Sequence, residues 1–471
     1  MSNAKEVEHM EEDEMEDEFS AESSSSSNGE EDDSDMDEDG EPDDNEADEG
    51  TKKVYLPGKK IEDNEELVVD ESAYRMIHRA QTGAPCLSFD VLKDDLGPSR
   101  ENYPMTMYLI AGTQAPRAHV NSLLVMKMTN LYGTKQKNGS DDESSDSDEE
   151  DDEKTPVMST ATIKHQGCVN RIRCSQVGNT IFAASWSELG RVSLWDLREQ
   201  LSAIDDPVLL SSYQRKYSKS DNEVKAAFTF KGHLSEGYGL DWCPTEKGTI
   251  ASGDCKGNIH VWRCDDSGRG QIWHVDQRPY SSHAPHSVED LQWSPSERNV
   301  LASCSVDKSI KIWDTRANPQ SACMRTASNA HSTDVNVISW NKKESQFLVS
   351  GGDDGAIRVW DLRHFRNDGA SPLATFKQHT APVTTVEWHP QEATVFASGG
   401  ADDQIAQWDL SVEADDSEDI EDEDLSKLPP QLLFIHQGQT DVKELHWHPQ
   451  CPGTMISTAL SGLNVFRTIS V

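Results

Sequence analysis

The chain lacks the features that mark a membrane protein or a disulfide-bonded scaffold. No apolar run approaches the roughly 18 residues that a membrane-spanning helix needs. The first residues lack the basic and apolar regions of a secretory signal peptide. The nine cysteines are an odd number and form no Cys-x-x-Cys pair, which argues against a disulfide framework and a zinc ribbon. These absences lead us to expect a reduced, intracellular protein.

Motifs of phosphate binding and of metal-dependent catalysis are also missing. The chain has no Gly-x-x-x-x-Gly-Lys loop and no His-Glu-x-x-His helix. The stretch with His446, His448 and Cys451 offers ligand types that zinc prefers. Both histidines flank a tryptophan that recurs along the chain, so we expect no metal there. We predict no cofactor and no enzymatic activity.

Basic charge is scarce in three tracts, and these tracts account for the net charge of −42. Residues 1–50 hold 24 acidic side chains and one basic one, residues 141–153 hold ten and none, and residues 413–424 hold nine and none. The other 396 residues carry 42 acids and 42 bases. Binding to DNA or RNA backbones needs Lys and Arg, so the tracts disfavour it. They favour a basic protein partner.

Low hydrophobicity predicts that parts of the chain do not fold. Residues 1–65 form an acidic tail that cannot bury enough apolar surface to offset its ordering entropy. Residues 134–156, 199–225 and 411–428 are predicted to be flexible insertions within the folded region. Some serines stand three residues before an acid, which suits an acidophilic kinase. We therefore predict phosphorylation at Ser34, Ser140, Ser145 and Ser147.

An internal repeat defines the folded region, residues 85–471. Five segments align, with the cores LDWCP…IASGDCKGNIHVW, LQWSP…LASCSVDKSIKIWD, ISWNK…LVSGGDDGAIRVWD, VEWHP…FASGGADDQIAQWD and LHWHP…ISTALSGLNVF. A weaker sixth copy contains Trp195, and ten of the twelve tryptophans fall at two repeat positions. Short, alternating, β-branched strands separated by Gly and Asp turns fill each copy. A seventh copy is predicted at 103–131, where two strands flank a polar loop.

This pattern is the signature of the WD repeat, and the chain resembles the WD-repeat propeller family. The resemblance implies an all-β fold, a seven-bladed WD-repeat β-propeller with a short N-terminal helix and a disordered acidic N-terminal tail. In that family a His, a Ser, an Asp and a Trp of one blade form a buried structural set. Three copies match it in full: His286, Ser303, Asp307 and Trp313; His331, Ser350, Asp354 and Trp360; His379, Ser398, Asp402 and Trp408. Two other copies place Leu189 and Lys256 where the Asp is expected.

The segment 66–84 precedes the repeats and is predicted to be a helix docked on the propeller. Asp70 is a suitable N-cap and Gly83 a suitable end for such a helix. Ala73 and Ile77 would share one helical face. A helix of about ten residues does not persist alone in water, so it has to dock on something.

The chain also resembles the WD-repeat histone-binding subfamily. In those proteins an N-terminal helix faces a loop with a Pro-Pro pair and acidic residues, and the two hold a basic amphipathic helix of a client. The resemblance implies client-binding roles for ten residues: Tyr74, Ile77, His78, Asp419, Glu421, Asp422, Glu423, Asp424, Pro429 and Pro430. A groove with an apolar floor and an acidic rim complements such a helix. The alternative is that the predicted helix only caps the propeller and that the acids are solvated.

The whole chain resembles the glutamate-rich WD-repeat proteins, through LxxDxSAYxMxH, PCLSFDxLxDDLG and YPMTMYLIAGTQA. This resemblance implies a monomeric nuclear and nucleolar chaperone for a basic large-subunit ribosomal protein, acting on pre-ribosomal particles. A histone chaperone or chromatin-complex subunit is a second hypothesis that uses the same groove. A third is a substrate receptor that meets a cullin-ligase adaptor through Trp-Asp-x-Arg boxes, which end in Arg198, Arg316 and Arg363.

Overall fold

The computed structural model describes residues 55, 68–134, 155–218, 222–265, 272–365, 369–413 and 428–471. The chain divides into two units, Met1–Leu67 and Val68–Val471. All elements named below belong to the second unit. The serines predicted to be phosphorylated, and the predicted client-binding acids Asp419, Glu421, Asp422, Glu423 and Asp424, lie outside the described residues.

Within the described residues, 28 strands form seven four-stranded antiparallel sheets, which are the blades of a propeller. The first strand in sequence, β1 (Tyr74–Ala80), belongs to the last blade. Blades 1 to 3 contain β2 (Cys86–Leu92), β3 (Met105–Thr113), β4 (Ser122–Leu131), β5 (Val157–Lys164); β6 (Val169–Val177), β7 (Thr180–Ser187), β8 (Arg191–Asp196), β9 (Phe228–Phe230); β10 (Gly239–Trp242), β11 (Thr249–Gly253), β12 (Ile259–Asp265), β13 (Ile272–Val275).

The remaining blades follow the same order, from an inner to an outer strand. Blades 4 to 6 contain β14 (Val288–Trp293), β15 (Val300–Ser305), β16 (Ile310–Asp314), β17 (Cys323–Ala327); β18 (Val335–Trp340), β19 (Phe347–Gly352), β20 (Ile357–Asp361), β21 (Ala374–Phe376); β22 (Val383–Trp388), β23 (Val395–Gly400), β24 (Ile405–Asp409), β25 (Leu432–His436). Blade 7 contains β26 (Val442–Trp447), β27 (Thr454–Ala459), β28 (Gly462–Thr468) and β1. The predicted seven-bladed propeller is confirmed, including its first blade, where a seventh copy was predicted.

Neighbouring blades approach so closely that glycine is required on some facing strands. A Cβ atom placed on Gly112 of β3 would lie 2.2 Å from Val169 Cγ1 in the next blade. One placed on Gly351 of β19 would lie 2.4 Å from Val383 Cγ1. Real Cβ atoms do not approach other carbons to these distances, so the missing side chains let the sheets pack at the density of a protein interior.

Side chains on the inner strands tie each blade to the next. Asp241 of blade 3 accepts the backbone N–H of Trp293 in blade 4 at 2.7 Å, and Asp290 of blade 4 accepts that of Ile338 in blade 5 at 3.1 Å. The indole Nε1 of Trp293 donates in return to the Asp241 carbonyl at 3.1 Å. The indoles of Trp388 and Trp447, which also end inner strands, likewise donate to a carbonyl of the preceding blade, so these tryptophans join blades as well as filling space.

The prediction of a helix over 66–84 is wrong for its described part. Residues Glu71–Ala73 form a short 3₁₀ turn, whose N-cap Asp70 accepts the Ser72 N–H, and the chain then continues as β1. β1 pairs antiparallel with β28, from Tyr74 opposite Thr468 to Ala80 opposite Leu463. Over so few residues, a period of two and a period of 3.6 place similar residues on the buried face. The segment forms a strand because β28, at the edge of blade 7, offers it backbone hydrogen-bonding partners.

The segment predicted as a flexible insertion at 199–225 instead holds a helical hairpin. Its helices are α1 (Arg198–Asp205) and α2 (Pro207–Tyr217). Asp206 caps α2 by accepting the N–H groups of Val208 and Leu209, and a proline occupies the first turn. Of the other two predicted insertions, residues 135–154 and 414–427 lie outside the described residues. In the described part of the chain, no helix is long and apolar enough to cross a membrane.

Deleting residues 1–80 removes β1. We expect the melting temperature to fall by about 10 °C or more, because the buried side chains of Tyr74 and Met76 are lost and the edge of β28 becomes exposed. Deleting residues 1–67 is the matched control, which keeps β1 and should change the melting temperature little. Differential scanning calorimetry measures both. Equal melting temperatures for the two truncations would show that β1 does not hold the ring together.

Candidate functional site

Polar sets recur inside the blades and hold each sheet. In blade 5, Trp360 Nε1 donates to Ser350 Oγ at 2.9 Å, Ser350 is 2.7 Å from His331 Nε2, and His331 Nδ1 is 2.8 Å from Asp354. Burial lowers the pKa of His331, so the ring is neutral and donates to Asp354 from Nδ1. Burial raises the pKa of Asp354, but bonds from His331 and Ser332 lower it to about 2. The predicted set of blade 6 has the same geometry: His379, Ser398, Asp402 and Trp408.

The predicted set of blade 4 contains the wrong histidine. His283, not His286, lies 2.8 Å from Asp307 and 2.7 Å from Ser303, while His286 is exposed. The spacing carried the missed signal. His283 stands 30 residues before Trp313, as the histidine of blade 2 stands before its tryptophan, whereas His286 stands only 27 residues before it.

The two blades predicted to lack the Asp differ from each other. In blade 3, Asp254 lies 3.2 Å from His233 Nδ1, and Lys256 only donates its N–H to that carboxylate. The set of blade 3 is therefore complete, two residues earlier than expected. In blade 2, His165 Nδ1 donates a hydrogen bond to the carbonyl of Gly167 at 2.9 Å. A backbone acceptor therefore replaces the carboxylate.

A cavity of ≈ 690 Å³ lies at the centre of the ring and is lined by charged side chains of the inner strands. The Glu444 carboxylate accepts hydrogen bonds from the guanidinium groups of Arg171 and Arg173 in blade 2, both at 2.6 Å. It also accepts the N–H of Phe89 at 2.8 Å. Burial opposes ionisation of Glu444, but the two arginines hold its pKa well below the usual range. These charges are paired across the ring, which is how buried charges persist.

The histidines considered as zinc ligands have other partners. His446 Nδ1 lies 3.0 Å from Glu387, and Lys342 Nζ lies 3.2 Å from the same carboxylate. Burial lowers the pKa of His446, but Glu387 and Glu444 outweigh it and raise it to about 9. His448 Nδ1 accepts the N–H of Gln450. In the described part of the chain no group of three or more His, Cys, Asp or Glu is arranged to hold a metal.

The arginines of the Trp-Asp-x-Arg boxes fold back on the aspartate two residues earlier. Both Nε and Nη2 of each guanidinium contact that carboxylate, in the pairs Arg198–Asp196, Arg316–Asp314 and Arg363–Asp361. The same fork joins Arg278 to Asp276, outside any such box. The fork is therefore a local turn motif, and ligase binding through the boxes stays a prediction.

The predicted client-binding residues of β1 are largely occupied within the fold. Tyr74 is buried, and its hydroxyl forms a 2.8 Å hydrogen bond with His436 Nδ1. Ile77 packs against the core between blades 6 and 7. His78 Nε2 donates to the carbonyl of Tyr132 at 2.8 Å, and burial lowers the pKa of His78. The side chains of Tyr74, Ile77 and His78 therefore hold β1 in the fold and expose little surface to a client.

Three chain segments meet beside Tyr74, and we call this place the blade 7 corner, residues 68–75, 132–134 and 428–434. Thr134 donates its N–H to the Arg75 carbonyl at 3.0 Å and its hydroxyl to the Tyr74 carbonyl at 2.5 Å. The ring of Phe434 packs edge-on against Tyr74, with centroids 5.4 Å apart. Each segment leads directly in sequence toward one of the three acidic tracts.

Apolar and proline residues line the same corner. Val68 is 83% exposed, and Ile469 is 53% exposed and donates its N–H to the carbonyl of Ala73 at 3.2 Å. Pro429 accepts the N–H of Leu432 at 2.9 Å, which fixes a turn, and Pro430 is exposed. The segment that begins with the predicted proline pair reaches β1 through Phe434, whose ring contacts Tyr74.

The fold and its polar sets define a WD-repeat β-propeller. A profile of the WD domain, G-beta repeat, matches residues 276–314, 321–361 and 370–409. A second profile, described as that of histone-binding protein RBBP4 or of a component of the CAF1 complex, matches residues 64–132.

Three similar proteins identify the family. The chain is 42% identical over 468 residues to ribosome assembly protein rrb1 of Schizosaccharomyces pombe, covering 98% of this chain and 92% of that protein. It is 42% identical to protein HEAT STRESS TOLERANT DWD 1 of Arabidopsis thaliana, covering 89% and 92%. It is 45% identical to glutamate-rich WD repeat-containing protein 1 of Dictyostelium discoideum, covering 89% and 86%. The chain belongs to the glutamate-rich WD-repeat protein family.

His283→Ala should lower the free energy of unfolding by about 2 to 4 kcal/mol, because it removes the buried ring that hydrogen-bonds both Ser303 and Asp307 and opens a cavity. The matched control, His286→Ala, removes an exposed ring three residues away and should change the free energy by no more than about 0.5 kcal/mol. Urea denaturation measures both. If His286→Ala were the costlier substitution, the assignment of His283 would be wrong.

His446 predicts a loss of stability at alkaline pH. Its folded pKa of about 9 lies above the ordinary 6.5. Its stabilising effect is therefore complete below pH 6.5 and is lost as the pH rises through 9. Between pH 7 and pH 9.5 the wild type should lose on the order of 2 kcal/mol more than His446→Gln. Denaturation at both pH values measures this, and equal losses in the two proteins would refute the assignment.

Proposed function

We propose that this protein is a non-enzymatic scaffold that escorts a basic client, and that the client docks at the blade 7 corner. The observation that carries the proposal is the meeting of three segments there. The 3.0 Å bond from Thr134 to Arg75 and the ring contact of Phe434 with Tyr74 join them. The chain segments that lead to the three acidic tracts, which are far apart in sequence, therefore meet at one place on the fold.

The chemistry of the corner favours a partner with both apolar and basic side chains. Val68 and Ile469 expose apolar surface, and the tracts carry the whole net charge of −42. Negative charge around an apolar patch complements an amphipathic segment rich in Lys and Arg and speeds its association. The same charge would screen a basic client from RNA.

We infer that the client is a ribosomal protein of the large ribosomal subunit. A relative that aligns with 98% of this chain is named a ribosome assembly protein, and the family resemblance implies that the client belongs to the large ribosomal subunit. Ribosomal proteins are basic and need protection from RNA before assembly. The protein would then act in the nucleus, chiefly in the nucleolus, and deliver its client to pre-ribosomal particles. One chain supplies all three tracts, so a monomer suffices.

A core histone is the second candidate client. The profile described as that of histone-binding protein RBBP4 or of a component of the CAF1 complex matches residues 64–132. This range includes β1, and it ends at Tyr132, whose carbonyl accepts from His78. Crosslinked capture followed by high-salt washes distinguishes the two: a ribosomal protein is expected, and recovery of core histones alone would select the second candidate.

Neutralising the acids beside the proline pair should weaken client binding without unfolding the propeller. In this variant Asp419, Glu421, Asp422, Glu423 and Asp424 become Asn or Gln. We expect affinity for the captured client to fall about tenfold at low salt, mainly through the association rate, and the difference to shrink at high salt. Surface plasmon resonance measures both rates.

The matched control changes the net charge by the same amount elsewhere on the described surface. It replaces five acids by Gln: Glu188, Glu223, Glu297, Glu344 and Glu392. This control should bind nearly as well as the wild type. If both variants lost the same affinity, only the overall charge would matter and the corner would not be the docking site.

A further inference from the structure

The central cavity of the ring opens to solvent on the side where the inner strands end. Its volume of ≈ 690 Å³ lies in the usual range for small-molecule sites. Two exposed lysines in its lining mark the opening, Lys93 directly after β2 and Lys247 in the turn between β10 and β11. Lys342, two residues after β18, also lines the cavity, and its side chain is 55% exposed. Three ammonium groups therefore line one opening.

The carboxylates of the cavity lining already have hydrogen-bond donors. Five acidic side chains line the cavity, and nine of their ten oxygens accept hydrogen bonds within the fold: both oxygens of Asp90, Asp290, Glu387 and Glu444, and one oxygen of Asp241. Burial raises the pKa of Asp241 to about 7, so this carboxyl group is partly protonated at neutral pH. The acidic side chains therefore offer little to a cationic ligand.

The buried glutamates of the lining each have two basic partners. Glu444 pairs with two arginines, while Glu387 lies 3.2 Å from Lys342 Nζ and 3.0 Å from His446 Nδ1. Burial lowers the pKa of His446, but Glu387 and Glu444 raise it to about 9, so the imidazole is protonated at neutral pH. The two surplus positive charges balance the two other aspartates of the lining that ionise. The interior of the cavity is therefore close to neutral.

Lys93 and Lys247 add positive charge that nothing in this ring neutralises. Within the described residues, neither lysine has a hydrogen bond or an ion pair. The three lysines follow the inner strands of blades 1, 3 and 5, and neighbouring blades follow one another around the ring. The ammonium groups therefore approach the opening from three sides. Such an arrangement surrounds a compact anion, whereas charges in a row would follow an extended strand.

We propose that this opening binds a compact small molecule that carries several phosphate groups. Phosphate oxygens accept hydrogen bonds from lysine ammonium groups, and one compact molecule reaches lysines on three sides at once. Pro244, Pro295 and Pro390 line the same cavity and provide apolar contact for the carbon skeleton of the ligand. None of the residues of the blade 7 corner lines the cavity, so this site is separate from the proposed client site.

Isothermal titration calorimetry of the full chain with inositol hexakisphosphate tests the proposal. A salt concentration of about 0.15 M gives a Debye length of about 8 Å, which limits repulsion by the acidic tracts. Lys93→Gln/Lys247→Gln removes the two unpaired charges. The matched control, Lys343→Gln/Lys377→Gln, removes the same charge from two exposed lysines that do not line the cavity. Melting temperatures without ligand show that both variants fold.

We expect the hexakisphosphate to bind the wild type and the control variant with the same Kd and to raise their melting temperatures. Lys93→Gln/Lys247→Gln should bind it at least about tenfold more weakly. Inorganic phosphate, with a single phosphate group, should bind the wild type more weakly than the hexakisphosphate. Three results would overturn the proposal: no binding of the hexakisphosphate by the wild type, equal weakening in both variants, or tighter binding of a phosphoserine peptide than of the hexakisphosphate.

Discussion

The pairing of β1 with β28 is the interaction on which the ring depends. Blade 7 takes three strands from the end of the repeat region and its fourth from the segment before blade 1. Tyr74 anchors this strand through its hydrogen bond to His436 and its ring contacts with Phe434 and Phe466. On the inner side, Glu444 ties blade 7 to the backbone of blade 1. Closing the ring brings together residues that are separated in sequence by almost the whole repeat region. These contacts therefore offset a large entropic cost of loop closure.

Closure also sets the place where the acidic tracts join the fold. Because β1 must reach β28, the chain that follows the acidic tail enters at the edge of blade 7. Thr134, which precedes a second tract, bonds to the backbone of Tyr74. Leu433, which follows the third, accepts from the hydroxyl of Ser470 at 3.5 Å. One strand thus serves both stability and the proposed recognition, so substitutions in β1 need a folding control.

The propeller fold was predictable because its sequence motif recurs along the chain. The wrong predictions concern features that occur only once, such as β1 and the helical hairpin. The repeat copies carry the WD-repeat signature, and the resemblance to that family implies the seven blades and the sets of blades 5 and 6. β1 was mistaken for a helix because its pairing partner lies almost four hundred residues away, beyond any local pattern. His286 was predicted in place of His283 because both precede β14, although the 30-residue spacing to Trp313 favours His283. The hairpin was missed because its helices gain stability by packing on blade 1, which composition does not reveal.

Hydrogen–deuterium exchange of the full chain with and without its captured client tests the central claim most directly. The account predicts slower exchange on client binding in residues 68–75, 132–134 and 428–434. It predicts no change in the turn between β27 and β28, which lies at the other end of β1 because Ala80 pairs with Leu463. Protection confined to that turn, with unchanged exchange at the corner, would contradict the account.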